Sequence, residues 1–112
     1  MAKYQRTFKG DDNEFIRILS LIEYEIVRGS VSASLEDASD FRSPSARCSV
    51  RVFERYSWMG SNRVSLSVTL FQGSDGIIHL SAITSGGSQA MFFKLNTFGE
   101  EAFLNKLRRL FD

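Results

Sequence analysis

Few residues of this 112-residue chain have the types and spacing that chemistry requires. The first candidate is a segment that places two glycines between hydroxyl and amide side chains: Ser85, Gly86, Gly87, Ser88 and Gln89. Exposed backbone N–H groups in such a segment can cradle an anion or a small polar ligand. The interpretation that we favour is a hairpin turn, in which the glycines supply a positive φ. A phosphate-binding loop normally precedes a helix, whereas we expect a strand to follow this segment.

The second candidate is a series of arginines at every fourth position, Arg47, Arg51 and Arg55, with Phe53 between the last two. Guanidinium groups interleaved with an aromatic ring suit single-stranded nucleic acid or a phosphorylated ligand. Acidic residues in the preceding run, 36–40, can instead form cross-strand ion pairs with them. We favour such a solvated, paired face, since surface pairs are common and weak, and nucleic acid is not the favoured partner.

His79 is the lone histidine and Cys48 the lone cysteine. An imidazole can act as a general base near neutral pH. The residue alternation predicts that His79 points outward and Cys48 inward, so the two cannot pair and an enzyme is not favoured. A single cysteine excludes an internal disulfide, and a closed cysteine zinc site needs four ligands, so we expect no metal or other cofactor.

Trp58 lies with Tyr56 and Met59 in a short connection. Large apolar side chains there either cap the core or form a contact tip. The contact would be with a foreign partner or with a second copy of the chain.

The composition is that of an ordinary globular domain, with 43% hydrophobic and 24% charged residues and a net charge of +1. The length fits one domain spanning residues 1–112. The polar first ten residues do not resemble a signal peptide, and no apolar stretch reaches membrane-spanning length. We therefore expect a cytosolic protein without membrane partners.

Residue periodicity predicts the elements that hold these candidates. A strand is predicted over 3–9, and a helix follows from a cap in 11–14 to Gly29. Five further strands are predicted over 30–35, 47–55, 64–70, 78–83 and 91–95. A second helix is predicted from a cap at Asn96 or Thr97. The longest connection, 38–46, contains Pro44 and is predicted to be a mobile loop.

The strands alternate apolar and polar residues, which predicts an antiparallel sheet that is covered on one face only. In the strand over 47–55, Cys48, Val50 and Val52 are predicted to point inward. The arginines and Ser49 are predicted to point outward, with Phe53 as an apolar exception on their side. The expected fold is α+β, in the order β-α-β(5)-α, with one curved antiparallel sheet, two helices on one face and an open serine and arginine face.

This order resembles TATA-binding-protein-like and helix-grip domains, a likeness of topology that says little about function. The segments 30–37, 48–56 and 83–94 are similar to small bacterial proteins catalogued only as a domain of unknown function. That resemblance covers nearly the whole chain and implies a bacterial cytosolic protein, without assigning an activity.

Three hypotheses on function follow. The leading one is a non-enzymatic binding or interaction module that uses the open face and the Gly86–Gly87 hairpin. The second is a small-ligand protein or weak enzyme with a pocket between the sheet and the C-terminal helix, lined by Phe93 and Phe103. The third is an obligate homodimer that buries the open face or the aromatic tip.

Overall fold

The computed structural model describes residues 1–28, 32–57, 62–86 and 93–112. Along the chain it contains β1 (Ala2–Lys9), α1 (Asp12–Arg28), β2 (Ser34–Ser43), β3 (Ala46–Ser57), β4 (Asn62–Gln72), β5 (Ile77–Gly86) and α2 (Phe93–Phe111). The strands form one antiparallel sheet in the order β1-β5-β4-β3-β2. This confirms the predicted α+β class. Within the described ranges, neither helix has the length and apolar composition needed to cross a membrane.

The hydrophobic core lies between one face of the sheet and both helices. The strands contribute alternate residues that are almost fully buried: Val64, Leu66, Val68 and Leu70 from β4, and Ile78, Leu80 and Ala82 from β5. The helices contribute Phe15, Ile18, Leu19, Ile22 and Ile26 from α1, and Phe103, Leu104 and Leu107 from α2. The predicted coverage of one face by two helices is therefore present.

The start of α1 follows from its sequence. The backbone N–H of Glu14 donates to Oδ1 of Asp11 at 3.1 Å, which satisfies one of the N–H groups that a helix leaves unpaired in its first turn. Asp12 and Glu14 place negative charge at the positive end of the helix dipole, and Arg28 lies in the last turn. The predicted cap of this helix is confirmed.

The prediction of a sixth strand over 91–95 is wrong from Phe93 onward, where α2 begins. Asn96 and Thr97 accordingly lie inside α2 and do not cap it; Met91 lies outside the described residues. A short apolar run fits either a strand or a buried helical turn, and alternation over five residues does not separate them. Over the described residues the order is therefore β-α-β(4)-α.

The predicted loop over 38–46 is also wrong, because β2 extends to Ser43 and a two-residue turn, Pro44 and Ser45, leads into β3. All ten residues of β2 are exposed, so this edge strand carries no hydrophobic alternation that would reveal it. Pro44 sits in the turn, where no ladder hydrogen bond is required of it. A shift in register between Leu35 and Asp37 further obscures the period.

The sidedness of the sheet gives the first testable prediction. Leu66→Ala removes a fully buried side chain on the helix side of β4, and we expect it to lower the free energy of unfolding by about 2–5 kcal/mol. Ile83→Ala, on the opposite side of neighbouring β5, should change it by about 0.5 kcal/mol or less. Urea unfolding followed by circular dichroism measures both; equal losses would show that both faces are packed.

Candidate functional site

The third strand faces the opposite way to the prediction. Ser49 (2% exposed), Arg51 (8%) and Phe53 (0%) are buried, whereas Cys48, Val50 and Val52 are only partly covered. Direct pairing explains this orientation, because paired residues project to the same side of a sheet and Phe53 pairs with buried Leu66. The prediction that the arginines line the open face is therefore wrong.

The arginines are accommodated against the helices by their stems and by aromatic rings. The guanidinium carbon of Arg47 lies 4.2 Å from the ring centroid of Phe15 in α1, and that of Arg55 lies 4.8 Å from the centroid of Phe103 in α2. Stacking on an aromatic face offsets part of the cost of removing a guanidinium from water. Burial lowers the pKa of Arg55 from its usual value, consistent with this partly dehydrated position.

Arg51 ties three elements together. Its Nε donates to Oε2 of Glu23 in α1 at 3.3 Å, and its Nη1 donates to Oδ1 of Asp40 in β2 at 3.1 Å. Nη1 also donates to the carbonyl oxygens of Ser39 and Val50, at 3.3 and 3.0 Å. The guanidinium therefore has its charge paired and several of its donors satisfied, which a buried charge requires.

Asp40 completes this network. The hydroxyl of Ser49 donates to Oδ1 of Asp40 at 2.6 Å. The pKa of Asp40 is held below its usual value, first by this hydrogen bond and then by those from Arg51. The predicted pairing of these arginines with the acidic residues of 36–40 is thus present between Arg51 and Asp40. Arg47, Arg51 and Arg55 form no open basic surface on the sheet.

The opposite side of the sheet, here called the open face, carries the alternate residues that point away from both helices. From β1 to β2 they are Lys3, Gln5, Thr7, Lys9, Ile77, His79, Ser81, Ile83, Ser85, Arg63, Ser65, Ser67, Thr69, Phe71, Cys48, Val50, Val52, Glu54, Tyr56, Asp37, Ser39, Phe41 and Ser43. Every one of them is exposed or partly exposed. The centre of this face is therefore made of hydroxyl and apolar side chains.

Four neighbouring side chains of the open face form a row across four strands, here called the aromatic row. Phe41 pairs with Cys48, Cys48 with Phe71, and Phe71 with His79. Phe41 is 63% exposed and Phe71 42%, and the rings of Phe71 and His79 lie 6.2 Å apart between centroids. Shallow depressions of about 240 and 430 Å³ flank Phe71 on either side. This surface is open and shallow, a shape that suits contact with another surface better than enclosure of a small molecule.

His79 is exposed on the open face, as predicted, but Cys48 lies on the same face and was predicted on the other. Phe71 stands between them, which separates the two residues by two strand spacings, roughly 10 Å. That distance is too long for the hydrogen bond by which a histidine activates a thiol. In the described parts of the chain, no group of three His, Cys, Asp or Glu side chains is placed to hold a metal ion.

The glycine segment is described only at its start. Ser85 and Gly86 end β5, and the hydroxyl of Ser85 lies 3.1 Å from that of Ser65 on the open face. Gly87, Ser88 and Gln89 lie outside the described residues, as does Trp58. The predicted hairpin therefore falls mostly on residues outside the described ranges, and the next described element is α2, which begins at Phe93.

A polar cleft of about 480 Å³ lies at one end of the sheet, between the start of α1, the β2–β3 turn and the β4–β5 turn. Arg42 and Arg47 both approach the carboxylate of Asp12, at 2.9 and 3.9 Å. Gln72 donates to the carbonyl oxygen of Gly10 at 2.9 Å. These charges and donors are paired within the protein, so the cleft offers no surplus charge to a ligand.

These features define the protein as an α+β domain with a one-sided helical layer and an exposed sheet face. The chain belongs to a family of unknown function, DUF6054, whose model matches residues 1–112. Among curated proteins, the comparison found no match.

The Arg51 network gives the second prediction. Arg51→Ala leaves Asp40 and Glu23 without their buried partner, and we expect a loss of about 2–3 kcal/mol in the free energy of unfolding. Arg42→Ala removes an ion pair that is more than half exposed and should cost about 1 kcal/mol or less. Urea unfolding measures both variants. Equal, small losses would show that Arg51 is not held by its partners.

The lowered pKa of Asp40 gives the third prediction. The pKa of this carboxyl is lower in the folded state than in the unfolded state, where it is about 3.9. The carboxylate therefore stabilises the fold above about pH 3.9, and this stabilisation is lost as the pH falls through the folded pKa. Asp40→Asn should therefore lower the urea midpoint at about pH 7 and lower it by a smaller amount at about pH 3. The effect will be modest, because the Asp40 side chain is 61% exposed.

Ser49→Ala serves as the companion variant, since the Ser49 hydroxyl is the largest cause of the shift. In the Ser49→Ala background, Asp40→Asn should lower the urea midpoint at about pH 7 by less than it does in the wild type. An Asp40→Asn midpoint equal to that of wild type at both pH values would refute the role of this carboxylate.

Proposed function

We propose that this protein is a non-enzymatic interaction module that binds a protein surface through its open face. The observation that carries the proposal is a contiguous set of exposed or partly exposed apolar side chains there, namely Phe41, Cys48, Val50, Val52 and Phe71, of which Phe41 is 63% exposed and Phe71 42%. Ile83, 42% exposed, lies on the same face beyond Ser67. Isolated apolar residues are ordinary on protein surfaces, but a contiguous patch typically marks a contact site. We place the module in the bacterial cytosol as part of this proposal.

The distribution of charge on the open face supports a protein partner. Among its described residues, charged side chains stand at the two edges and the ends: Lys3, Lys9, Asp37, Glu54 and Arg63. The interior of the face carries Ser, Thr, Val, Cys, Phe and Ile side chains together with His79. An apolar centre with a polar rim is the usual anatomy of a protein interface.

The rigidity of the open face also supports the proposal of a protein partner. Its residues lie on paired strands, and the β-branched Val50, Val52 and Ile83 have few rotamers to lose on binding. A preformed surface of this kind loses little conformational entropy when a partner covers it. Ser85 extends the same surface toward the glycine segment.

The rival hypothesis of a ligand pocket beneath α2 has no comparable support. Phe103, predicted to line that pocket, is fully buried in the core, and Arg55 lies against its ring. The side chain of Phe93 lies outside the described residues.

Site-specific photocrosslinking tests the proposal. Thr69 lies in the middle of the open face, and we expect p-benzoylphenylalanine at this position to give a discrete crosslinked adduct when the protein is irradiated in its native cells. The same group at Ser20, on the exposed side of α1, is the matched control and should give none. An absence of adducts at Thr69, or equal adducts at both positions, would contradict the proposal.

A further inference from the structure

We propose that the partner of the open face is a second copy of this chain, bound face to face about a two-fold axis that runs along β4. The inference rests on the proposed function, because it names the occupant of the same surface. The product is a sandwich of two five-stranded sheets with the helices on its outer sides.

The strand register places opposite charges at opposite ends of one row. Lys3 pairs with Ile83, Ile83 with Ser67, Ser67 with Val52, and Val52 with Asp37. The row therefore runs from a base on edge strand β1, through apolar and hydroxyl side chains, to an acid on edge strand β2. β4, which carries Ser67, stands at its centre.

Rotation about an axis along β4 makes this row complementary to itself. The rotation exchanges β1 with β2 and β5 with β3, so Lys3 faces the partner's Asp37 and Ile83 faces the partner's Val52. Each contact occurs twice, as two-fold symmetry requires. Aligned sheets pack at about 30° to one another, a rotation small enough for the long Lys3 side chain to span.

The positions of the charged residues also distinguish a two-fold axis along β4 from one that runs across the strands. A two-fold axis across the strands would superpose β1 on the partner's β1, which gathers Lys3 and Lys9 of both copies at one edge. It would leave Asp37 of both copies at the other edge. Like charges brought together disfavour that arrangement, and of the two axes only the one along β4 sets Lys3 against Asp37. The axis along β4 also brings Arg63 near the partner's Arg63, but each of these guanidinium groups is paired with Glu54 of its own chain at 2.7 Å.

The aromatic row obeys the same symmetry. Phe71 lies on β4, beside the proposed axis, and meets the partner's Phe71. Phe41, the most exposed side chain of the row, reaches the partner's Thr7 at the far edge, where β1 carries no bulky apolar group on this face. Phe41 on β2 thus contacts the small side chain of Thr7 on the partner's β1, and these are two strands that the rotation exchanges.

The area is adequate for a stable pair. Five strands spaced about 4.8 Å apart and about eight residues long give a face of roughly 650 Å² in projection. A standard interface buries about 800 Å² on each partner, so the open face is large enough to form most of one.

The mass of the purified full chain in solution tests this inference. Size-exclusion chromatography with light scattering should return twice the chain mass of 12.7 kDa at about 100 μM, where a micromolar Kd populates the dimer. Thr69→Arg should return 12.7 kDa, because it places two guanidinium groups at the axis whose cross-strand neighbours, Val50 and Ser81, offer no carboxylate to pair with them as Glu54 pairs with Arg63. Ser20→Arg, on the exposed side of α1, should remain a dimer. A monomeric wild type, or a dimer that Thr69→Arg leaves intact, would overturn the inference.

A charge exchange separates a true contact from misfolding. Lys3→Glu alone and Asp37→Lys alone should each weaken the dimer about tenfold, because each variant sets like charges against each other twice. The double variant, or an equimolar mixture of the two single variants, should restore the wild-type Kd. Failure of the mixture to restore it would show that Lys3 and Asp37 do not meet across the interface.

The outcomes also separate this inference from the proposed function. If the wild type is a monomer while Thr69 crosslinks in cells to a different protein, the second copy is wrong and the interaction module stands. If the wild type is a monomer and no adduct forms, both fail.

Discussion

The pairing of β3 with β4 is the constraint on which the two surfaces of this protein depend. Phe53 pairs with Leu66 in the centre of the core, and both side chains are fully buried. Since successive residues of a strand point to opposite sides, this one pair fixes the orientation of all of β3. A shift by one residue would bury the valines but expel Phe53 into water and reverse every other side chain of the strand. The arginines therefore belong to the helix side and the valines to the open face.

The helix side of β3 differs in kind from the core beneath β4 and β5. There α1 is held to β2 and β3 by guanidinium contacts, above all those of Arg51 with Glu23 and Asp40. At the other end of the sheet, the hydroxyl of Tyr4 in β1 donates to Asp112, which follows α2, at 2.5 Å. Polar contacts thus hold the helices to the sheet at the two sides of the helical layer, while buried apolar side chains stabilise its middle. Such partly exposed contacts add modest stability but define where each helix lies.

Much of this fold could be predicted from the sequence, and the failures have identifiable physical causes. The cap at Asp11 and the alternation of β4 and β5 are local signals, and they predicted α1, the central strands and the one-sided cover correctly. In β3 the hydropathy of three small apolar residues pointed the wrong way, because stacking and ion pairing allow arginine to be buried. Phe53, in phase with the arginines, was the one residue that indicated the true orientation. An open face was predicted, but its aromatic row was missed. Phe41 lies in β2, an edge strand whose residues are all exposed and show no hydrophobic alternation, and Phe71 lies next to the end of β4.

The chemistry of the open face bears on how permanently it is covered. An obligate interface resembles a domain core cut in half, whereas the middle of this face alternates hydroxyls such as Ser67 and Thr69 with apolar side chains. Hydroxyl groups can bond to water when the face is bare and to each other, or to bridging water, when it is covered. The separate chain therefore retains a hydrated, complete fold, because its core lies entirely on the other side of the sheet. Association through this face, as we propose it, is then a reversible step of a folded protein and not a condition for folding.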